Sequence, residues 1–308
     1  MDDLLSKQGK TITYLASILL VAEPGHRLAS MQQIADSQDV SVGTVQAAMQ
    51  YLQTEGIAEI VNRGRLGAFA QVLDYARLWT LAQRRSMSAI LPMPYSLRVE
   101  GLATALRQAF DKHPVDVELR YMRGSTSRIE RLNAGQCDWV VTSRYAADAA
   151  AVSGFEVETI MALGPGTYTT DHVLLIRGEG GLQAGMRVGI DTHSSDHAYV
   201  VRLLSRGTPV NFVEIDYSTT IENMLAGHID ATVWTEPDVP RLPEPFHALP
   251  VGDVLEHDDK LAQLAEAVIV TLPAYRDAVQ HVLQTVLNLD EVRQVQQAVA
   301  ERQLRPTY

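Results

Sequence analysis

Residues 129–141, with the sequence IERLNAGQCDWVV, recur in outline as residues 221–233, with the sequence IENMLAGHIDATV. Each copy has an amphipathic helical stretch, an Ala-Gly turn, an aspartate and an apolar stretch that is typical of a buried strand. A glycine just after the last apolar position favours a helix that ends in the left-handed conformation. The repeat therefore predicts that the chain contains two copies of one α/β unit.

Strand and helix patterns also alternate around both copies. The pattern predicts helices at 98–110 and 196–204 and strands at 86–91, 115–121, 187–190 and 210–215. This alternation is typical of parallel sheets with crossover helices. The apolar stretch 167–176 predicts a strand that crosses between the two halves, and a final helix over 274–304 is expected to break near Asp290. We predict an α/β fold in which residues 87–308 form a two-lobed ligand-binding domain.

The turn between helix and strand, 132–138 in the first copy and 224–230 in the second, resembles that of type II periplasmic binding proteins. This resemblance covers nearly all of residues 87–308 and implies two lobes with a ligand cleft between them. It concerns the fold and does not identify a ligand.

Ligands of open α/β sheets bind beyond the carboxyl ends of the strands, so loops at that edge supply the candidate residues. The candidates are Pro94, Tyr95, Arg123, Gly124, Ser125, Thr142, Ser143, Arg144, Tyr168, Asp191, Ser194, Ser195, Asp196, Ser218, Thr219, Thr235 and Glu236. Hydroxyl residues before helices favour an anion near backbone N–H groups, although such residues also cap helices with no ligand present. Arg123 and Arg144 suit a carboxylate or phosphate. We expect a small, anionic metabolite.

Residues 1–70 have a different pattern, which predicts helices at 11–22, 31–37 and 41–55 and then a hairpin within 57–69. Val42, Val45, Met49 and Leu52 form the predicted core stripe of the third helix. Helix, helix, turn, helix and hairpin is the order of a winged helix-turn-helix domain, although other small helical domains share it.

Short polar residues lie where such a domain contacts DNA, at the start of the third helix and at the hairpin tip. The candidate DNA-binding residues are Ser30, Gln32, Ser41, Gly43, Thr44, Gln46, Arg63, Gly64 and Arg65. A carboxamide such as that of Gln46 pairs with adenine, and arginines at a wing tip contact phosphates or a narrow minor groove.

Residues 41–52, Glu55-Gly56-Ile57, Arg63-Gly64 and Gly67-Ala68-Phe69 together resemble the recognition helix and wing of GntR-type regulators. The whole-chain layout, with this head joined to a binding-protein-like domain, is similar to the YhfZ type of regulator. The resemblance implies a transcription regulator that binds a double-stranded DNA operator, as a homodimer, under control of a small effector.

Residues 71–86 predict a connecting helix that is apolar on more than one face. It is expected to pack against a second subunit or the C-terminal domain, and ordinary packing within the chain is an equal alternative.

Composition limits the class of protein. The 308 residues are 46% hydrophobic and carry a net charge of −11, yet residues 1–86 hold eight basic and eight acidic residues, so the acidity belongs to the C-terminal part. A neutral head binds DNA best as a dimer, which doubles the number of neutralised phosphates. With one cysteine, Cys137, and neither a leader peptide nor a membrane span in the pattern, we expect a cytoplasmic protein.

Other functions have weaker support. An enzyme needs an acid–base pair, for which Asp191 and Glu236 are the only suggestive carboxylates, and a binding module without DNA function leaves Arg63, Arg65 and Gln46 without a role. His193 and His197 have the i, i+4 spacing of metal ligands but lack a third strong ligand nearby. We therefore expect no catalysis, no metal and no cofactor.

Overall fold

The computed structural model describes residues 6–82, 85–169, 172–235, 242–252 and 260–308. The chain forms two compact units. The first comprises Met1–Met87, Leu106–Glu118 and Ala274–Asn288, and the second comprises Ser88–Ala105, Leu119–Pro273 and Leu289–Tyr308. The predicted domain boundaries at residues 70 and 86 stay predictions.

Three helices form the head: α1 (Lys7–Leu20), α2 (Met31–Gln38) and α3 (Val42–Thr54). Ser30 begins α2 through a capping box with Gln33, and the Ser41 side chain caps α3 by accepting from the Thr44 N–H. The predicted core position of Val42 is wrong, because its side chain is 37% exposed and Ala48 is buried beside the rest of the stripe. Val42 is the first residue of α3 and lies beyond the surface that the other helices cover.

The wing consists of β1 (Ala58–Asn62) and β2 (Ala68–Leu73), which pair antiparallel around a short 3-10 turn, Gly64–Leu66. Residues 26–28 add a third strand-like segment, since the Leu28 N–H donates to Ala68 O and the Ala70 N–H donates to His26 O. This segment was not predicted. Residues 71–73, which were predicted to begin the connecting helix, belong to β2 instead, where Val72 and Leu73 pair with Glu59 and Ala58 of β1.

The connecting helix is the shorter α4 (Tyr75–Leu81), capped by Asp74. Its residues Ala76, Leu78 and Trp79 are at most 2% exposed. They are covered within the first unit by α1 and by a late helix, Arg276–Val286. The Tyr75 ring stacks on the ring of His281, a residue of that helix, with centroids 4.3 Å apart. The apolar character of this segment is thus explained by packing within the chain.

Each lobe of the C-terminal region has a five-stranded sheet. The first sheet contains β3 (Met87–Leu91), β4 (Val117–Tyr121), β5 (Trp139–Ser143), β6 (Glu158–Gly164) and β12 (Ala267–Thr271), in the order β4-β3-β5-β12-β6. The second contains β7 (His172–Arg177), β8 (Arg187–Ile190), β9 (Asn211–Glu214), β10 (Ala231–Thr235) and β11 (Phe246–Pro250), in the order β11-β7-β10-β8-β9. The mixed α/β fold with an N-terminal helical region is therefore confirmed.

Helices surround these sheets. They are α5 (Leu97–Phe110), α6 (Ser125–Asn133), α7 (Arg144–Val152), α8 (Ser195–Leu204), α9 (Thr220–Leu225), α10 (Leu261–Ala265), α11 (Arg276–Val286) and α12 (Leu289–Ala300). The predicted final helix is thus two helices, which are separated at residues 287–288, just before Asp290.

The sequence repeat has a structural role, because its two aspartates make equivalent hydrogen bonds in the two lobes. Asp138 accepts from the Ser88 N–H at 2.7 Å, and its own N–H donates to Ser88 O. Asp230 accepts from the Arg187 N–H at 2.9 Å, and its N–H donates to Arg187 O. Each aspartate therefore joins its strand to the start of the neighbouring parallel strand.

The predicted crossing strand 167–176 begins only at His172 and pairs within the second lobe. Thr167, which was predicted to begin the strand, is bonded to other elements instead. The hydroxyl of buried Thr167 accepts from the Ala267 N–H, and the Gln296 amide donates to Thr167 O at 2.8 Å and to Arg98 O. These bonds satisfy backbone groups that a strand ladder would otherwise satisfy.

Candidate functional site

A cavity of about 180 Å³ lies between the two lobes of the second unit. Eight predicted ligand-binding residues line it: Tyr95, Arg123, Gly124, Ser125, Tyr168, Asp191, Ser194 and Asp196. Seven others are absent from its lining: Pro94, Thr142, Ser143, Arg144, Ser195, Ser218 and Thr219. Thr235 ends β10, its side chain is not described, and Glu236 lies outside the described residues.

The prediction also missed lining residues, most of which lie within helices or strands. They are Pro92, Met93, Ser96, Val99, Arg128, Thr169, His172, His197, Tyr217, Val233, Trp234 and Leu264. Loop placement cannot find a side chain that reaches the cavity from within a helix or strand.

Arg128 is the most consequential of the missed residues. It lies one turn into α6 and is only 2% exposed. Its guanidinium donates to Val141 O at 3.1 Å, to Met122 O at 3.0 Å and to the Tyr168 hydroxyl at 2.8 Å. All three acceptors are neutral, so a buried cation faces the cavity without a carboxylate hydrogen-bonded to it.

The two arginines that were predicted to hold an anion already have acidic partners. Arg123 pairs with Asp216 and donates to the Ser218 hydroxyl, and Arg144 pairs with Glu266. The hydrogen bond that Arg144 donates to Glu266 raises the pKa of Arg144. Because these charges are neutralised within the protein, the predicted role of Arg144 is not supported by its position.

The N-termini of α6 and α8 meet at one side of the cavity. The Thr126 N–H donates to His193 O at 3.2 Å, and the hydroxyls of Ser125 and Ser195 are 2.9 Å apart. Gly124 permits this approach, because its φ is +78° and a Cβ there would lie 2.7 Å from His193 O. These serines therefore join the two lobes, a role that the sequence did not reveal.

Asp196, in the first turn of α8, supplies a carboxyl group to the cavity. The Ser143 hydroxyl donates to it, and Ser143 also caps α7 by accepting from the Ala146 N–H. Desolvation raises the pKa of Asp196 to about 6, although hydrogen bonds from Ser143 and Ser125 and the charge of Arg128 act in the opposite direction. Its hydrogen-bond donors are neutral groups, so the negative charge is incompletely compensated.

Asp191 and His197 order the loop before α8. The Asp191 carboxylate accepts from the backbone N–H groups of His193 at 2.9 Å and Tyr217 at 3.3 Å. The Asp191 N–H in turn donates to His197 Nδ1 at 3.1 Å, which makes Nε2 the protonated nitrogen that faces Val233 O. Since the Nδ1 lone pair is occupied and His193 is largely exposed, these histidines do not converge as a metal pair.

Both buried imidazoles of the cavity are neutral near pH 7. Desolvation lowers the pKa of His197 to about 4, and desolvation together with the charge of His197 lowers the pKa of His172 to about 4.

Aromatic and aliphatic side chains form the rest of the wall. Tyr217 stacks on Trp234 with ring centroids 4.7 Å apart, and Tyr95 remains half exposed. Val99 and Leu264 add aliphatic surface. The cavity thus combines the buried cation of Arg128, the carboxyl groups of Asp191 and Asp196, and a partly apolar wall.

The head exposes most of its predicted DNA-binding residues. Ser41, Gly43 and Gln46 lie on the open side of α3, whereas the Thr44 hydroxyl is 2.9 Å from that of Ser41 and serves the cap. At the start of α2, Ser30 is used in the capping box and the Gln32 amide donates to Asp36.

At the wing tip, Arg63, Gly64 and Arg65 are exposed, and the Arg63 guanidinium lies over the Phe69 ring at 4.9 Å. Gly64 has a φ of +60°, as the turn requires. Arg27 adds an unpredicted cation there, because its side chain lies against Gly67, where a Cβ would be 3.2 Å from Arg27 Nε.

Comparison with known proteins gives two domain matches: residues 74–308 match the YhfZ C-terminal domain, and residues 23–70 match a helix-turn-helix domain. The chain belongs to the YhfZ family. A relative named YhfZ, from Escherichia coli (strain K12), is 31% identical over 308 residues, which cover 99% of this chain and 98% of the relative.

Solved structures resemble the C-terminal region. The crystal structure of YhfZ from Shigella flexneri is 29% identical, with a TM-score of 0.51, and the match covers 73% of this chain and all of that one. The ligand-binding component of an ABC-type import system from Staphylococcus aureus, with zinc bound, has 12% identity and a TM-score of 0.53 over 72% of this chain and 80% of that one. The second likeness concerns the fold alone, which is that of solute-binding proteins.

Among the residues that the structure describes, no helix has the length and hydropathy that crossing a membrane requires.

Proposed function

We propose that this YhfZ-family protein is a transcription regulator that binds a double-stranded DNA operator and is controlled by a small ligand in the cavity between its lobes. Its head is proposed to be GntR-like. Two copies, as a cytoplasmic homodimer, would place their α3 helices in successive major grooves of a near-palindromic operator.

The observation that carries the proposal is the exposed face of the head. Ser41, Gly43 and Gln46 are open to solvent at the start of α3, and Arg63 and Arg65 are open at the wing tip. A helix start that presents backbone N–H groups and a carboxamide suits phosphates and base edges, and wing arginines add phosphate contacts. Among the described residues of the head, no hydrogen bond or ion pair uses the Gln46 or Arg65 side chain.

The cavity supports binding in preference to catalysis. Asp191, which an enzyme mechanism would need as an acid or base, is 0% exposed and accepts from two backbone N–H groups. A carboxylate that is held in this way orders a loop and is poorly placed to exchange protons with a substrate. Arg128 instead provides a charge that a ligand can neutralise.

The experiment that tests the proposal is a mobility shift of the full chain on its own upstream DNA at two salt concentrations. We expect Gln46→Ala, Arg63→Ala and Arg65→Ala to weaken binding, and each arginine change to reduce the salt dependence by about one phosphate contact. Arg131→Ala, which removes an exposed arginine of α6, is the matched control and should bind as the unaltered chain does.

Two outcomes would refute the DNA-binding proposal. One is the absence of any shift from a folded, dimeric chain at low salt. The other is a shift that all three head variants retain in full.

A further inference from the structure

Of the four charged side chains that line the cavity, Arg123 pairs with Asp216 and Asp191 accepts from two backbone N–H groups, whereas Arg128 and Asp196 have opposite charges and form no ion pair with each other. Arg128 and Asp196 both line it, and both are among the described residues. No ion pair joins Arg128 to any acidic side chain in the part of the chain that the structure describes. The charge of Arg128 still influences Asp196, so the two groups are near each other.

The cation has only neutral partners. Its three hydrogen bonds go to two backbone carbonyls and the Tyr168 hydroxyl, which fix the orientation of the guanidinium. A guanidinium has five N–H donors, so donors remain for a bidentate anion. A buried charge without a counter-ion is costly, and a ligand anion would remove that cost.

The carboxyl group has only neutral partners as well. Hydroxyls of Ser143 and Ser125 are its side-chain donors, and no lysine, arginine or protonated histidine pairs with it among the described residues. A ligand that carries a protonated amine would provide the missing positive charge.

We infer that the cavity binds a small zwitterion of the α-amino-acid type, with its anionic group on Arg128, its ammonium group on Asp196 and an apolar or aromatic side chain against Tyr217 and Trp234. This inference rests on the proposed function and names the ligand class for the same cavity. A simple anion would bring a second negative charge to Asp196, and a simple cation would bring a second positive charge to Arg128. Only a ligand with both charges satisfies both groups.

The apolar part of the cavity lining supports a ligand with an uncharged side chain. An aromatic and aliphatic part of the lining is formed by the Tyr217–Trp234 stack, Val99 and Leu264, beside neutral polar side chains such as Ser96 and Thr169. Such a wall suits a side chain without charge and disfavours a second ionised group on the ligand.

The pH dependence of affinity has opposite signs for the two ligand classes. Asp196, with a pKa of about 6 in the free chain, must be ionised to hold an ammonium group, so the affinity for a zwitterion should fall as the pH drops from 7.5 to 5. A simple anion would bind with uptake of a proton on Asp196, and its affinity should rise over the same interval.

Other groups near Asp196 and Arg128 do not obscure this interval. His197 on α8 and His172 on β7, with pKa values of about 4, stay neutral in it. Asp191 is held by backbone N–H groups, Tyr168 has its pKa raised by burial, and His193 is the exposed imidazole, 3.7 Å from Asp191. His193→Gln in the same titrations removes its contribution.

The test is calorimetric titration of the full chain with apolar and aromatic L- and D-amino acids. For each amino acid, the N-acetyl derivative lacks the ammonium group and the decarboxylated amine lacks the anion. We expect at least one amino acid to bind, and both of its derivatives to bind at least 100-fold more weakly.

Variants of the protein test which residue binds which charged group of the ligand. Arg128→Lys and Asp196→Asn should each weaken binding at least tenfold, and Asp196→Asn should also remove the pH dependence. The matched controls Arg131→Gln on α6 and Asp148→Asn on α7, both at exposed positions, should bind with unchanged affinity. Circular dichroism of each variant verifies that it is folded.

Three outcomes would overturn the inference: no amino acid of the panel binds, an N-acetyl derivative binds as tightly as its parent, or affinity rises on acidification. The mobility shift on DNA needs no ligand, so it can succeed while the zwitterion fails. In that case the proposed DNA-binding function is retained and only the proposed ligand class is wrong.

Discussion

The two copies of the helix–turn–strand unit, α6 with β5 and α9 with β10, have the same architecture, but the residue before each repeat lines the cavity in the first copy only. Asp138 and Asp230 make equivalent bonds to the neighbouring strand. One residue before each repeat, however, the first lobe has Arg128 and the second lobe has Thr220. Thr220 is 0% exposed, and its hydroxyl makes no hydrogen bond.

This difference shows that the two copies share the bonds that build each lobe and differ in the side chains that they place at the cavity. The first lobe contributes a buried cation from α6. The second contributes a carboxyl group from α8, at Asp196. The aspartates of the turn, in contrast, occur in both lobes.

The largest expected effect comes from giving the first lobe the residue of the second. Arg128→Thr leaves Val141 O, Met122 O and the Tyr168 hydroxyl without their donors, so we expect the free energy of unfolding to fall by about 3 kcal/mol. Chemical denaturation measures this change. Arg131→Thr, at an exposed position of the same helix, should cost less than about 1 kcal/mol. Equal losses in the two variants would mean that the buried bonds contribute nothing.

The second largest effect is expected for the aspartates of the two turns, Asp138 and Asp230. Asp138→Ala removes the acceptor of the Ser88 N–H, which belongs to a residue that is 1% exposed, and we expect a loss of about 2 kcal/mol. Asp230→Ala should cost less, because its partner Arg187 is well exposed and water replaces the lost bond. Chemical denaturation of the two variants measures the loss of free energy of unfolding in each. A larger loss for Asp230→Ala would contradict the expected order.

A smaller effect, of opposite sign, is expected at Asp196. Its pKa is about 6 in the folded chain and 3.8 for the ordinary group, so the stability that it contributes is fully present below pH 4 and is lost as the pH rises through 6. Asp196→Asn should therefore raise the free energy of unfolding at pH 7.5 by about 1 to 2 kcal/mol, after allowance for solvent screening.

The control for the Asp196→Asn prediction is the free energy of unfolding at a lower pH. Measured at pH 4, where the carboxyl group is largely neutral, Asp196→Asn and the unaltered chain should have nearly the same stability. The histidines His172 and His197 titrate alike in both proteins and cancel in the difference. A variant that is destabilised at pH 7.5 would disprove the cost that desolvation is expected to impose on the ionised group.

The smallest effect is expected in the second lobe. Thr220→Val replaces an unpartnered buried hydroxyl by a methyl group of similar shape, and we expect the free energy of unfolding to stay equal or to rise by up to about 1 kcal/mol. Thermal unfolding measures it. A clear loss would show that the hydroxyl has a role in the folded chain.

Local patterns predicted the elements well, and their errors have identifiable causes. The repeat, the α3 cap at Ser41 and the wing turn at Gly64 follow from spacing and turn chemistry, which are properties of adjacent residues. Residues 71–73 were placed in a helix because their apolar character suits either element, and only pairing with β1 assigned them to β2. Val42 was placed in the core because helical period does not show where packing ends.

The candidate site was predicted less completely than the fold. Loops at strand ends correctly pointed to Asp191, Ser194 and Asp196 as neighbours of the cavity. The rule also placed Arg123 at the cavity but failed for Arg144, and it did not show that both arginines have acidic partners, Asp216 and Glu266, which are distant along the chain. It also overlooked Arg128, because a charged residue inside an amphipathic helix resembles any solvated surface residue.

The sequence by itself determined the two-lobed α/β architecture, the helix-turn-helix head and the side chains that the head exposes, because periodicity, caps and turns depend on residues within a few positions of each other. Only the tertiary structure decided which charges are neutralised and which remain open to a ligand. That outcome depends on pairs such as Arg144 with Glu266, and on the burial of Arg128 beneath β5, which bring together residues from distant parts of the chain.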